Sequence, residues 1–202
     1  MDTKKLILEK TLKLMIENQN SIVSIRQISE ATGIAIGGIY YYFSSKEEIY
    51  DEITERYLLN YTKFDMNKLR QINGNTKEKI HDAMAEIFKQ KQTGITIETI
   101  EDETDYRLVL AILTANGFAY ENSQKLYNDI LKELKDFFTE LIEEGQKNRQ
   151  IRQDLPSADL AESLIIMYLG IQYKWEIYWI DDMISTFEDN FELEWEKIRF
   201  KE

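Results

Sequence analysis

Residues 24–49 read SIRQISEATGIAIGGIYYYFSSKEEI, and this stretch decides how the rest of the chain is understood. Ser24 stands before Ile25, Ile28 and Ala31 with Gln27 three residues after it. That is the spacing of a capping box, in which a hydroxyl and a side-chain amide each satisfy an N–H group at a helix start. It predicts a short second helix, stopped at Gly33, because glycine takes the left-handed turn that ends helices. Two residues later a third short helix is predicted from Ala35 to Tyr41, with Ile34 and Ile39 facing inward. Two short helices joined by a tight glycine turn make a helix-turn-helix. Tyr40-Tyr41-Tyr42-Phe43 then leads into Ser44-Ser45-Lys46-Glu47-Glu48. Either serine can cap a fourth helix, and Glu47 and Glu48 sit beside the positive end of its dipole.

Upstream, residues 4–18 carry Ile7, Leu8, Thr11, Leu12, Leu14 and Met15, one apolar stripe on a first helix. Downstream, Ile49, Ile53, Tyr57, Leu58, Tyr61 and Phe64 recur at three and four, which predicts a long fourth helix reaching about Leu69. Gln71-Ile72-Asn73-Gly74-Asn75 breaks the pattern, and Thr76 is expected to cap a fifth helix ending near Thr93-Gly94. Residues 95–105 alternate like a strand but have no partner strand, and they read as a loop entering a helix that runs to about Ala115. A long amphipathic helix over 119–147 is expected to close at Gly145, and two more run over 158–180 and 184–198. These last two carry more apolar surface than one monomer readily buries.

Composition agrees with an all-α chain: 202 residues hold one proline and eight glycines, 43% are hydrophobic and 31% charged. That length buries a sufficient core without disulfides or a structural metal. Cysteine is absent and His81 is the single histidine. The composition therefore excludes a thiolate nucleophile, a Cys-rich zinc module and any triad not built on that imidazole, and predicts no enzyme. Residues 1–30 contain no continuous apolar segment, which predicts neither a signal peptide nor a membrane span and hence a cytoplasmic location. The net charge of −12 argues against nucleic acid only as an average. Residues 1–50 hold six basic and six acidic side chains, so the whole deficit falls on residues 51–202.

Residues 24–49 resemble the N-terminal signature of TetR-family transcriptional regulators. The shared features are the Thr or Ser cap, the apolar-Arg pair, the glycine in the third helix, the Tyr-x-Tyr-Phe run and the Ser-Lys-Glu step, here Ser24, Ile25-Arg26, Gly37, Tyr40-Tyr41-Tyr42-Phe43 and Ser45-Lys46-Glu47. A looser likeness covers 154–170. The resemblance implies a DNA-binding head, residues 1–48, and a ligand-binding and dimerisation domain, residues 49–202, about nine helices in all. It implies that Ala35, Ile36, Gly38, Tyr40 and Tyr41 face DNA and that Ser24, Arg26, Tyr42 and Lys46 hold phosphates, with Gly37 and Gly38 letting the backbone approach. A hydroxyl or a helix N-terminus suits a phosphate on physical grounds as well. The chain departs from the family at Ala35, where Ser or Thr is frequent, at Ile36, where Lys or Arg is frequent, and at Gln19-Asn20. Its third helix has no cation, which implies partly apolar base reading, such as Ile36 or Ala35 on a thymine methyl. Lys4-Lys5 is the whole basic arm.

Each candidate also has a plainer reading. Phe43 packs between helices. His81, without a second His or Cys, predicts no metal site. Glu98, Glu101, Asp102, Glu103 and Asp105 read as a solvated loop. Residues 51–202 hold 19 of the 24 aromatics. There, Tyr61, Phe64, Phe88, Phe118 and Tyr168 are candidates to line a ligand pocket, while Trp175, Tyr178, Trp179 and Trp195 are expected in the core or a dimer interface. Together these readings predict a bacterial, homodimeric, cytoplasmic repressor without a cofactor. It would be released from a palindromic operator in double-stranded DNA by a small apolar or aromatic molecule. The alternative is a TetR-like DNA-binding protein that takes no small molecule and is controlled by a protein partner.

Overall fold

The computed structural model describes residues 2–18, 23–59, 63–93, 107–108, 111–112, 114–115, 121–178 and 182–200. Tyr61, Phe118, Trp179, Gln19-Asn20 and the acidic run over 98–105 lie outside the described residues. By packing, the chain falls into two compact units, Met1–Thr62 with Ile95–Tyr127, and Lys63–Gly94 with Asn128–Glu202. The fold is all-α, with nine helices and no strand among the described residues beyond one isolated bridge, Ile151 to Arg199.

In the first unit, α1 (Thr3–Glu17) is capped by Asp2, whose carboxylate accepts from the Lys4 N–H at 3.0 Å. It buries Ile7, Leu8, Leu12 and Met15. The capping box at Ser24 forms as expected and starts α2 (Ile25–Thr32), and Gly33 ends it at φ 71°. Ala31 is exposed, so α2 packs inward mainly through Ile28. The third helix, α3 (Ile36–Tyr42), begins one residue after Ala35, which as a cap supplies no side-chain hydrogen bond. Ser45 accepts from the Glu48 N–H at 3.2 Å and starts α4 (Lys46–Ile53). The Tyr50 hydroxyl, buried in this core, accepts from the Val23 N–H and donates to the Val23 carbonyl, each at 2.8 Å. One side chain thereby holds α4 to the entrance of α2.

The long fourth helix expected from periodicity is not one α-helix. After Ile53 the backbone widens into a π-helical stretch, Thr54–Leu59, and residues 63–65 are not helical. A separate short helix, α5 (Met66–Arg70), then starts on Asp65, whose carboxylate accepts from the Lys68 N–H at 3.1 Å. Periodicity alone reads through such a break because π turns keep apolar residues near the same face.

The second unit continues with α6 (Thr76–Thr93), α7 (Glu121–Lys147), whose residues from Asn128 on belong here, α8 (Ser157–Tyr178) and α9 (Met183–Ile198). The cap of α6 is Asn75, not Thr76. Its side chain accepts from the Glu78 N–H at 3.1 Å while Glu78 accepts from the Asn75 N–H at 2.8 Å. Gly145 does not close α7, which runs on to Lys147. A Cβ at Gly145 would come within 2.7 Å of Thr76 and 2.9 Å of Ile151, so glycine is there for close packing. No helix among the described residues is long and apolar enough to cross a membrane.

Candidate functional site

The two caps and the glycine turn place α3 with one side on the core, through Ile39, and the other outward. The outward side carries Ile36, Gly37, Tyr40 and Tyr41, all exposed, with Tyr41 at 82%. Ser24, Ala35 and Tyr42 are exposed as well, and Lys46 and Gly38 are half-buried. The Tyr41 and Tyr42 rings meet edge to face, 5.2 Å apart. Gly38 is needed by the head itself, since a Cβ there would lie 2.9 Å from Ile34. Gly37 is not: nothing stands within 4 Å of where its Cβ would be.

The electrostatics of this face are restrained. Arg26, with its side chain 83% exposed, pairs with Glu30 at 3.0 Å, and Lys46 lies over the Tyr50 ring at 5.5 Å. Lys4 pairs with Glu52 and covers the Phe43 ring. Glu48 accepts from the Ser44 N–H and hydroxyl, each at 2.6 Å, and these bonds hold its carboxyl below the usual carboxylate range. Backbone and Ser45 hydrogen bonds do the same for Glu47. The N-terminal turn of α4 therefore keeps two carboxylates charged.

A second constellation lies inside the second unit. Phe88 and Tyr168 are buried with ring centres 5.7 Å apart, and Phe64 meets Tyr168 at 5.9 Å. The ammonium of Lys91, fully buried, sits 4.7 Å from the Phe64 ring centre and 5.9 Å from that of Tyr168. From α8, Gln172 donates to Glu176 at 2.8 Å, and both are buried. The Gln172 carbonyl oxygen has no hydrogen-bond partner among the described residues. Burial pushes Lys91 down to about 7, against the pull of Glu176. It pushes the Glu176 carboxyl up, against the Gln172 bond and the charge of Lys91. Burying two ionisable groups in apolar surroundings is costly, and their presence marks an interior that is not ordinary core.

The sequence of the head matches, over residues 7–53, the family described as bacterial regulatory proteins, tetR family. This head is that of the TetR-family transcriptional regulators. The chain is 25% identical over 177 residues to an uncharacterized HTH-type transcriptional regulator of Bacillus subtilis, YhgD, covering 87% of this chain and 85% of that one. The same fold recurs in NalD, the secondary repressor of the MexAB-OprM multidrug efflux pump in Pseudomonas aeruginosa. There the TM-score is 0.69 at 18% identity, over 98% of this chain and 95% of that one. A regulator from Saccharomonospora viridis in complex with choline matches at a TM-score of 0.63 and 20% identity, over 98% of both chains. TetR-family proteins are regulators and not enzymes.

Within the second unit, three of the five pocket candidates from sequence, Phe64, Phe88 and Tyr168, come together. Tyr61 and Phe118 lie outside the described residues. Trp175 and Trp195 are buried, in keeping with core positions, whereas Tyr178 is exposed. Lys91, Gln172 and Glu176 were not singled out from sequence. Gln172 and Glu176 do fall at helical spacing with Tyr168, which puts three polar or aromatic groups on one face of α8. The two ring nitrogens of His81 each lie 2.9 Å from a carboxylate, that of Asp82 and that of Glu188, and the ring rests on those of Phe187 and Phe191. No group of three or more potential metal ligands gathers among the described residues.

Proposed function

We propose that the chain is a homodimeric repressor that binds a palindromic operator through α3 and is released by a small apolar or aromatic molecule. Residues 1–48 would touch DNA, and residues 49–202 would hold the effector and the partner copy. The observation that carries the DNA half is the outward side of α3, where an intrahelical glycine with no structural need of its own lies beside exposed tyrosines. A glycine there costs the helix stability and lets a nucleic-acid backbone come close. Ile36 and Ala35 would read apolar base edges, Tyr40 and Tyr41 base edges or phosphate, and Ser24, Arg26, Tyr42 and Lys46 phosphates, with Gly37 and Gly38 giving the clearance.

Dimerisation is supported by the side of α8 away from the buried pair. Ile166, Tyr173 and Ile177 are exposed at helical spacing, with Gly170 between them and nothing within 4 Å of where its Cβ would be. Leu193 on α9 is exposed as well. An apolar stripe with a glycine in it suits close packing against a second copy. The effector half is supported by the aromatic and charged interior around Tyr168, and by the repressor NalD and the choline-bound regulator among proteins of this fold. The mechanism is a population shift, in which the effector binds better to a dimer whose heads are wrongly spaced for the operator. The stretch from α4 through the π-helical turn, which carries the chain out of the head, would be the lever.

Operator binding by variants tests the DNA roles. Tyr42→Ala and Lys46→Ala should weaken binding to all sequences alike, while Ile36→Ala should change the preferred sequence. Unchanged affinity in the first two would remove their phosphate roles.

A further inference from the structure

The interior polar atoms of the second unit identify a kind of ligand, and the reasoning rests on residues 49–202 being the effector-binding part. Two acceptors are buried together on α8. One is the Glu176 carboxylate, and the other is the Gln172 carbonyl oxygen, which has no hydrogen-bond partner among the described residues. With Glu176 ionised, the amide N–H goes to the carboxylate and leaves the amide oxygen free. A buried acceptor without a donor carries a desolvation cost that an N–H group would relieve. One turn earlier on the same helix is Tyr168, whose ring meets those of Phe64 and Phe88. The chain already places a primary ammonium there, that of Lys91, over the faces of Phe64 and Tyr168 and within electrostatic reach of Glu176.

We propose that this interior is a site for an amphipathic amine. Its N–H groups are received by Gln172 and Glu176, and its apolar or aromatic body lies against Phe64, Phe88 and Tyr168. Lys91 is then an internal stand-in for the ligand, an amine of the protein's own placed over the same rings. A carboxylate ligand does not fit the vacant acceptor, and a quaternary ammonium offers it no N–H. Aromatic faces and a carboxylate recognise a cation, and the Gln172 oxygen selects among cations for those that donate.

Calorimetry and thermal melting of the full chain with four matched probes test this: phenylbutylamine, phenylbutyl-trimethylammonium, phenylbutanol and phenylbutyrate. The amine should bind, and the other three should bind about tenfold more weakly or worse, as loss of a charge-assisted hydrogen bond implies. Glu176→Gln should lower amine affinity about tenfold and leave phenylbutanol unchanged. In Lys91→Met no internal amine competes for the rings, so the amine should raise the melting temperature of that variant more than that of the parent chain. Tightest binding of phenylbutyrate would show that Lys91 receives an anion and would overturn the proposal. Equal binding of all four probes, or binding of none, would overturn it as well. If the amine binds as expected but operator DNA stays bound, the amine site stands and the regulatory reading of residues 49–202 falls.

Discussion

Gly37 sits in the first turn of α3, exposed, with open space where a Cβ would lie. Inside a helix, glycine is less favourable than alanine by about 1 kcal/mol, so the head would be more stable without it. Gly37→Ala should therefore raise the stability of the chain by up to about 1 kcal/mol in denaturant unfolding, and weaken operator binding in the same preparation. An alanine that leaves DNA affinity unchanged would show that no backbone approaches α3 there. Gly38 is different, since a methyl group would press on Ile34 in the fold itself. Only Gly38 is required by the fold, a distinction that sequence alone does not make.

Several helix starts with a local cap were legible, although the equally local Asn75–Glu78 pair was read one residue late, at Thr76. The Ser24 box, the Gly33 stop and the Ser45 cap need only neighbours in sequence, and they form as read. What else was not legible depends on distant partners. Gly145 is set by Thr76 and Ile151, the break after Ile53 by a π-helical turn, and the burial of Lys91 by aromatic rings from other elements. The link between α6 and α9 is of the same long-range kind. His81 bridges to Glu188 on α9 and to its neighbour Asp82. Burial lowers the imidazole pKa, but the hydrogen bonds and charges of Glu188 and Asp82 outweigh it, and the net direction is upward from 6.5. A group raised in the folded state adds stability that is present below its unfolded value and lost as pH rises through the folded one. His81→Gln should accordingly lower the melting temperature most near pH ~5.5, with the gap narrowing above pH ~8. A gap that is constant with pH would assign His81 a packing role only.

At the scale of the whole molecule, charge and apolar surface are unevenly divided. Residues 1–50 sum to zero, while the net −12 belongs to residues 51–202. An acidic body repels phosphate and leaves the neutral head as the part that approaches DNA, so the overall charge favours one orientation over non-specific contact. The exposed stripe on α8 belongs to this scale too. Tyr173→Asp, which places a charge at a position 54% exposed in the single chain, should convert a dimer to monomers in sedimentation without unfolding it. A dimer that persists would move the interface elsewhere. The account stands or falls, however, on sequence-specific binding by α3. The direct measurement is selection of sheared genomic DNA from the source organism by the purified chain at about 0.1 M salt, followed by sequencing of the bound fragments. The account predicts enrichment of one palindrome whose half-sites lie roughly one helical turn apart, lost in Gly37→Ala. Fragments retained without sequence preference, or none retained at any salt, would contradict it.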